Sequence, residues 1–341
     1  MPTDVLLGRD HLVIAEVAQA HDGNLDVAMQ LIEAAARAGA HVVKFQTHLA
    51  AAESTAREPW RVRFNSRDAT RQDYWRRMEF SLDQWRALKG RCDELGIEFM
   101  SSPFSCEAVE LLVAVGVRIW KVASGEVSNK QLLERLSATR LPTILSSGLS
   151  TYSELDSAIS TLGLQSTDVA ILQCATQYPT TAERVGLNVL AEYKSRFGCV
   201  VGLSDHTSTI FASVAAASLG AQIFEVHLRQ DHDFSGPDAS SSLTESALAE
   251  LVRGVSFVRT ALANPVDKNV LSADQHRLRA SFGRSLVAAG PLCAGDTVLL
   301  SDLAFKKPGG GLSYDQILNV VGKKLRRNMS QDDELLMEDL Y

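Results

Sequence analysis

Val200-Val201-Gly202-Leu203-Ser204-Asp205-His206 is a short apolar run that ends on a hydroxyl, a carboxylate and an imidazole, and Ile223-Phe224-Glu225-Val226-His227 repeats the pattern one helix-length later. Earlier runs have the same shape: Leu12 to Glu16, Val42 to Gln46, Glu98 to Ser101, Ile119 to Ser124, Thr143 to Ser146 and Val169 to Cys174. Segments of helical period separate them, such as Leu25 to Ala38, which stops at Gly39 as a helix C-terminus does. Other helical stretches run over Leu82–Leu95, Cys106–Val115, Asn129–Ala138, Thr151–Leu162, Leu187–Phe197, Thr209–Leu219 and Thr244–Ala261. Alternation of strand and helix eight times means parallel strands joined by crossover helices, and eight units close a (β/α)8 TIM barrel of the α/β class. An open doubly wound sheet fits less well, because no GxGxxG follows the first strand. Barrel chemistry is done where the C-terminal strand ends meet, so the polar ends of these runs are expected to converge.

At 341 residues the chain suits a barrel of about 250 residues with a small appendage. The division expected is a barrel domain over 1–265, a linker over 266–278 and a small C-terminal domain over 279–341. That last stretch holds β-like runs at Ser285–Ala289 and Thr297–Leu300 and the turn-rich Lys306-Lys307-Pro308-Gly309-Gly310-Gly311. A domain of about 60 residues is marginal alone, so docking on the barrel or on a partner subunit is expected. Leu49 to Glu79 interrupts the second unit with Trp60, Tyr74, Trp75 and many arginines, the texture of a lid or binding loop.

Composition excludes several classes. With 45% apolar and 22% charged residues, the chain reads as neither disordered nor membrane-spanning. Met1 to Asp10 carries no basic segment followed by an apolar core, so a cytoplasmic location is expected. Five cysteines without CxxC spacing read as free thiols. The net charge of −7 argues against nonspecific nucleic-acid binding, while leaving room for a local basic pocket.

Such a pocket has candidates. Lys44 and Lys121 end strands two and four, and two ammonium groups aimed into one mouth call for an anion. Serines 101, 102, 124, 146, 147 and 204 add donors around the rim. Taken singly, each lysine can pair with a local carboxylate and each serine can cap a helix; as a set they describe a phosphate and carboxylate cradle. His206 and His227 end adjacent strands. Two imidazoles fit either an open metal site or a hydrogen-bonded structural pair, and their adjacent strand ends favour ligands. Glu16 and Glu225 are neighbours around a closed barrel, either one able to shuttle a proton or to support a metal-bound water. Asp205 points to the other face, and Asp238 lies in the loop after strand eight.

These residues fall in motifs that resemble those of the sialic acid synthases. The motifs are Ile14-Ala15-Glu16, His21-Asp22-Gly23, Lys44-Phe45-Gln46-Thr47, Ser102-Pro103-Phe104, Lys121-Val122-Ala123-Ser124-Gly125-Glu126, Ser146-Ser147-Gly148, Gln173-Cys174 with Tyr178-Pro179, Ser204-Asp205-His206-Thr207, Glu225-Val226-His227 and Gly236-Pro237-Asp238. The end of the chain resembles an antifreeze-like (SAF) domain, with Lys307-Pro308-Gly309 where that family has Arg-Pro-Gly. The resemblance implies a cytoplasmic transferase that condenses phosphoenolpyruvate with an N-acyl hexosamine aldehyde, N-acetylmannosamine by default, and releases phosphate. It implies that Lys44, Gln46, Ser101, Lys121, Ser124, Ser146 and Ser204 hold phosphoenolpyruvate. It implies further that His206 and His227 bind Mn²⁺, or else Mg²⁺ or Co²⁺, that Glu16 moves protons with them, and that Tyr178, Asp238 and Lys307 position the acceptor. A domain-swapped homodimer, with no nucleic acid or membrane partner, completes the implied picture.

Departures cluster on the acceptor side: Ala20 before the His-Asp-Gly element, Cys174-Ala175-Thr176, Arg229, and Lys307, which keeps a charge but loses the planar fork. They leave other acceptors open, of legionaminic or pseudaminic type, phosphorylated, or from an antibiotic pathway. The SAF-like tail weighs against a phosphorylated aldose. A catalytically silent binding protein is the remaining alternative, disfavoured by the joint presence of Glu16, Lys44, Lys121, His206 and His227.

Overall fold

Strand residues with apolar side chains on both faces can be buried only between a packed interior and an outer ring of helices, and the runs over 12–228 take that course. A computed structural model describes residues 8, 10–64, 66–230 and 236–341; most of the N-terminal stretch read for a signal lies outside them. The chain forms two units, Met1–Asn264 and Pro265–Tyr341.

In the first unit the order is β1 (Leu12–Ala18), α1 (Leu25–Arg37), β2 (Val42–Thr47), α2 (Ala50–Glu53), α3 (Arg71–Met78), α4 (Leu82–Leu95), β3 (Glu98–Pro103), α5 (Cys106–Val115), β4 (Trp120–Val122), α6 (Lys130–Ser137), β5 (Thr143–Ser146), α7 (Tyr152–Leu162), β6 (Val169–Cys174), α8 (Val189–Phe197), β7 (Val200–Asp205), α9 (Phe211–Ser218), β8 (Ile223–Leu228), β9 (Ser242–Leu243) and α10 (Glu245–Ala263). All neighbouring pairs are parallel, and β1 pairs with β8, Leu12 opposite Ile223 and Glu16 opposite His227, so the eight-stranded barrel closes. The two-residue β9 adds alongside β8. Helix starts follow from local chemistry: Asn24, Ser81, Ser105 and Thr151 accept backbone N–H bonds as N-caps, satisfying donors a helix cannot satisfy internally.

Alternation along the strands sorts the core into two. Leu12, Ile14, Val42, Met100, Ile119, Ile144, Ala170, Leu172, Val200 and Ile223 form a buried plug inside the barrel. Val13, Ala15, Val43, Phe45, Phe99, Trp120, Leu145, Ile171, Leu203 and Phe224 face the helices. Gly202 sits where a Cβ would lie 2.2 Å from the Ile223 carbonyl oxygen, so β7 approaches β8 only because it has none.

The Leu49–Glu79 insertion is ordered around its own cluster of Ala50, Tyr74, Trp75 and Met78, with Trp60 and Phe64 against it. The His21-Asp22-Gly23 motif anchors it: Arg77 Nη1 donates to Asp22 Oδ1 at 2.6 Å, and a Cβ on Gly23 would sit 2.2 Å from the Arg77 carbonyl oxygen.

The second unit has its own core of Leu286, Ala288, Val298, Leu312, Val320, Leu325, Met329, Leu335 and Leu340. Its elements are α11 (Ala273–Phe282) and an antiparallel pair, β10 (Ser285–Ala288) with β11 (Leu303–Lys306). Two expectations differ from this. The connector expected at 266–278 contains the start of α11, which Ser272 and Gln275 close with a capping box. The run Thr297–Leu300 contributes only a single bridge, Thr297 with Lys324, and Leu303–Lys306 supplies the strand instead. Among the described residues no helix is long and apolar enough to cross a membrane.

Candidate active site at the barrel mouth

Beyond the apolar plug, each strand presents a polar or sulfur-bearing inward side chain, two residues on in every strand but β7, where Gly202 intervenes between Val200 and Ser204. Those positions are Glu16, Lys44, Ser102, Lys121, Ser146, Cys174, Ser204 and Glu225, all buried. Period two places them on the same face as the plug residues that precede them. They form a connected polar layer. Lys44 Nζ lies 2.6 Å from Glu16 Oε2 and 3.6 Å from Glu225 Oε2, while Lys121 Nζ lies 3.6 Å from Glu225 Oε1. Lys121 Nζ donates to Ser146 Oγ at 2.7 Å, Lys44 Nζ to Ser102 Oγ at 3.4 Å, and Ser204 Oγ to Glu225 Oε1 at 3.0 Å. Glu16 Oε2 and Glu225 Oε2 are buried and meet the Lys44 ammonium as charged partners.

Two ammonium groups and two carboxylates balance in this layer, but the four groups differ. Burial pushes the Glu16 carboxyl up against the pull of Lys44, and the charge of Glu225 adds to the rise. Burial acts on Glu225 in the same sense, yet Lys121 and Lys44 outweigh it and hold that carboxyl down at about 2. Glu16 is therefore the more basic carboxylate. Burial presses the Lys44 ammonium down, but Glu16 and Glu225 more than offset this; for Lys121 burial prevails over Glu225.

One step further out stand Gln46, His206 and His227. Gln46 Nε2 donates to Glu16 Oε1 at 2.8 Å. The two imidazole centroids are 5.2 Å apart. Burial and the neighbouring His227 hold His206 down at about 4, and burial lowers His227 as well, so both rings are neutral near pH 7, as metal ligands must be. His206 Nδ1 lies 2.9 Å from the Ala175 carbonyl; a carbonyl only accepts, which places the proton on Nδ1 and leaves the Nε2 lone pair free. His227 Nδ1 is 3.9 Å from Asp238 Oδ2. Among the described residues no three His, Cys, Asp or Glu side chains form a closed cage. The donor set fits an open site in which two imidazoles leave most positions to water and substrate.

A cavity of about 260 Å³ lies here, lined by Gln46, Ser124, Tyr178, His227 and Asp238 together with Trp60, Tyr74 and Trp75 of the insertion. Tyr178 stacks on His206 with centroids 4.1 Å apart. Arg61, one of the many arginines of the insertion, lies over the Tyr178 ring at 4.2 Å and donates to Asp238 Oδ1 at 2.6 Å. The aromatic texture of the insertion marked the segment but singled out no one of its arginines.

Of the sequence candidates, Glu16, Lys44, Gln46, Lys121, Ser146, Ser204, His206 and His227 come together in this mouth, and Ser124, Tyr178 and Asp238 line its cavity. Ser101 does not join them. Lys44 is in register with Met100 and Gln46 with Ser102, so Ser102 shares the inward face. Ser101 points to the other face and shares a 2.7 Å hydrogen bond with Thr47 Oγ1. Asp205 is structural as expected, accepting from Thr207 N at 2.8 Å and Ser213 Oγ at 2.9 Å. Lys307 belongs to the second unit, where its Nζ lies 5.6 Å from the Phe282 ring centroid.

Fold and site together are those of a β/α-barrel enzyme whose chemistry sits at the C-terminal strand ends. Comparison with known proteins gives the family: the NeuB family matches residues 31–267 and the SAF domain matches 283–340. The chain belongs to the NeuB family and ends in a SAF domain. It is 34% identical to human N-acetylneuraminate-9-phosphate synthase, over 96% of this chain and 91% of that one. It is 31% identical to the N,N'-diacetyllegionaminic acid synthase of Campylobacter jejuni, over 96% and 99%. A sialic acid synthetase structure from Leptospira borgpetersenii, solved with citrate, superposes with a TM-score of 0.69 at 27% identity, covering 79% of this chain and 90% of that one.

Proposed function

We propose that this chain is a nonulosonic acid synthase that condenses phosphoenolpyruvate with the open-chain form of an N-acyl amino sugar and releases phosphate. The observation that carries the reading is the buried layer in which Lys44 and Lys121, flanked by Ser102, Ser146 and Ser204, face two neutral imidazoles. That layer suits a small polyanion on one side and a metal-bound carbonyl on the other. In the proposed reaction C3 of phosphoenolpyruvate attacks the aldehyde carbon, water adds at the electron-poor C2, and the C2–O bond breaks so that phosphate departs with the bridging oxygen. Lys44, Lys121 and the serines bind the donor and stabilise charge on the leaving phosphate. Glu16, the more basic carboxylate, takes a proton from the attacking water; the two water protons end on the former aldehyde oxygen and on the departing phosphate, leaving a ketone at C2. A divalent ion, Mn²⁺ first among Mg²⁺ and Co²⁺, held by His206 and His227, would polarise the aldehyde as a Lewis acid. Tyr178, Asp238 and Arg61 position the acceptor.

The relatives make N-acetylneuraminate 9-phosphate and N,N'-diacetyllegionaminic acid, as their names state. Because the first of these matches over 96% of this chain, the SAF tail does not weigh against a phosphorylated acceptor. N-Acetylmannosamine is the default acceptor; di-N-acylated and phosphorylated hexoses belong in the same panel. A cytoplasmic homodimer is the assembly proposed, with Lys307 on the acceptor side.

Phosphate release from phosphoenolpyruvate with Mn²⁺ across such a panel tests the reading. Release with at least one sugar is expected, with Glu16→Gln slower by about 10² to 10⁴-fold and both His206→Ala and His227→Ala inactive. Silence with every sugar, or full activity of the double histidine variant, contradicts it.

A further inference from the structure

His48 takes part in none of the contacts described above, yet it is 5% exposed and bonded at both nitrogens. Its ring lies between Trp75, with centroids 3.9 Å apart at 15°, and Phe104, at 4.3 Å and 18°. Nδ1 is 2.6 Å from Glu53 Oε1, and Nε2 is 2.9 Å from Gln19 Nε2. An amide nitrogen only donates, so Nε2 must accept, and the single ring proton sits on Nδ1, donated to Glu53. The second hydrogen of the Gln19 amide goes to Gln46 Oε1 at 2.6 Å. The 3.2 Å between His48 Nε2 and Gln46 Oε1 is then the gap between two acceptors sharing one NH₂ group. With its oxygen engaged, Gln46 turns its own NH₂ inward and donates to Glu16 Oε1 at 2.8 Å. Glu53 is fixed in turn by Leu49 N at 3.1 Å.

We propose that His48, set by Glu53, is a positioning residue for the proposed reaction: through Gln19 it fixes which end of the Gln46 amide meets Glu16. The inference rests on Glu16 acting as the proton-transfer group. It also gives the insertion a role in catalysis. Glu53 on α2 and Trp75 on α3 both belong to the insertion, so its seating determines the His48 tautomer and ring plane. Without the Nε2 acceptor the Gln19 and Gln46 amides lose their orientation, and an amide oxygen turned toward Glu16 meets a carboxylate it cannot bond.

Two substitutions separate positioning from packing. His48→Gln restores an acceptor near the place of Nε2 but removes the stacked ring; His48→Phe keeps the ring between Trp75 and Phe104 and removes both nitrogens. Steady-state phosphate release should rank the turnover number wild type, then His48→Gln, then His48→Phe, with the last reduced by about 10- to 100-fold, as for other outer-shell partners. The phosphoenolpyruvate KM is expected within about twofold of wild type, since the Lys44 and Lys121 contacts persist, and thermal stability should rank His48→Phe above His48→Gln. Wild-type turnover in His48→Phe, or a turnover order that follows stability, overturns the proposal. Glu16→Gln runs alongside: its inactivity with a fully active His48→Phe rejects the positioning role alone, whereas an active Glu16→Gln rejects the role of Glu16 and this inference with it.

Discussion

Lys44 and Lys121 are fully buried cations, and such groups persist only where carboxylates or a bound anion compensate them. Here each has a carboxylate, and they share Glu225, so both are ordered before a ligand arrives; the carboxylates hold the charge on Lys44, while burial weakens it on Lys121. The serines refine the site at the scale of one peptide bond. Ser102→Ala removes a hydroxyl beside Lys44 and is expected to raise the phosphoenolpyruvate KM by about tenfold or more, the loss of a charge-assisted hydrogen bond worth ~1.5–3 kcal/mol. Ser101→Ala breaks only the Thr47 contact and is expected to leave that KM unchanged while costing about 1 kcal/mol of stability. Kinetics of the two variants side by side check the assignment, and the reverse pattern would return Ser101 to the site. Sequence could not choose between these adjacent serines because a strand's inward parity is set by its register with neighbours. Only the pairing of Gln46 with Ser102 settles it.

The Leu49–Glu79 insertion is the element that gives this barrel mouth its character. Its aromatic cluster fixes a wall beside the imidazoles, and Arg61 reaches from it to Asp238 and Tyr178. The Arg61 side chain is 40% exposed, so its ion pair adds little to stability, and its effect belongs in acceptor binding. Arg61→Ala is expected to raise the acceptor KM by about tenfold, the scale of one charged hydrogen bond, with the phosphoenolpyruvate KM little changed. An unaltered acceptor KM would remove Arg61 from the site. Helices with clear amphipathic period and capping residues were legible in the sequence to within a residue or two, as Leu82–Leu95 and Cys106–Val115 show. The insertion was legible as a lid or binding loop but not in its contacts, because nothing in the spacing of its arginines distinguishes Arg61 from its neighbours. In the second unit Thr297–Leu300 has strand propensity without a partner strand, and tertiary context overrode it.

At the scale of the whole chain, one rule organises the barrel: a strand's last apolar inward residue is followed two positions later by a polar or sulfur-bearing one. Seven strands obey it and β7 inserts Gly202 before Ser204, and together the eight stack a layer of paired charges on an apolar plug, with the histidine layer following. That rule made both the fold and most of the site readable, since closure brings strand ends together whatever the loops do. It leaves the acceptor undetermined, because the insertion and the loop after β8 carry that information and neither has a period to read. The central claim is that this layer splits phosphoenolpyruvate at carbon and oxygen during attack on a sugar aldehyde. Phosphoenolpyruvate labelled with ¹⁸O in its bridging oxygen, incubated with Mn²⁺ and the accepted sugar, tests it most directly by mass analysis of the phosphate released. Labelled phosphate that forms only when the sugar is present is the predicted result; unlabelled phosphate, or release without the sugar, would contradict the account.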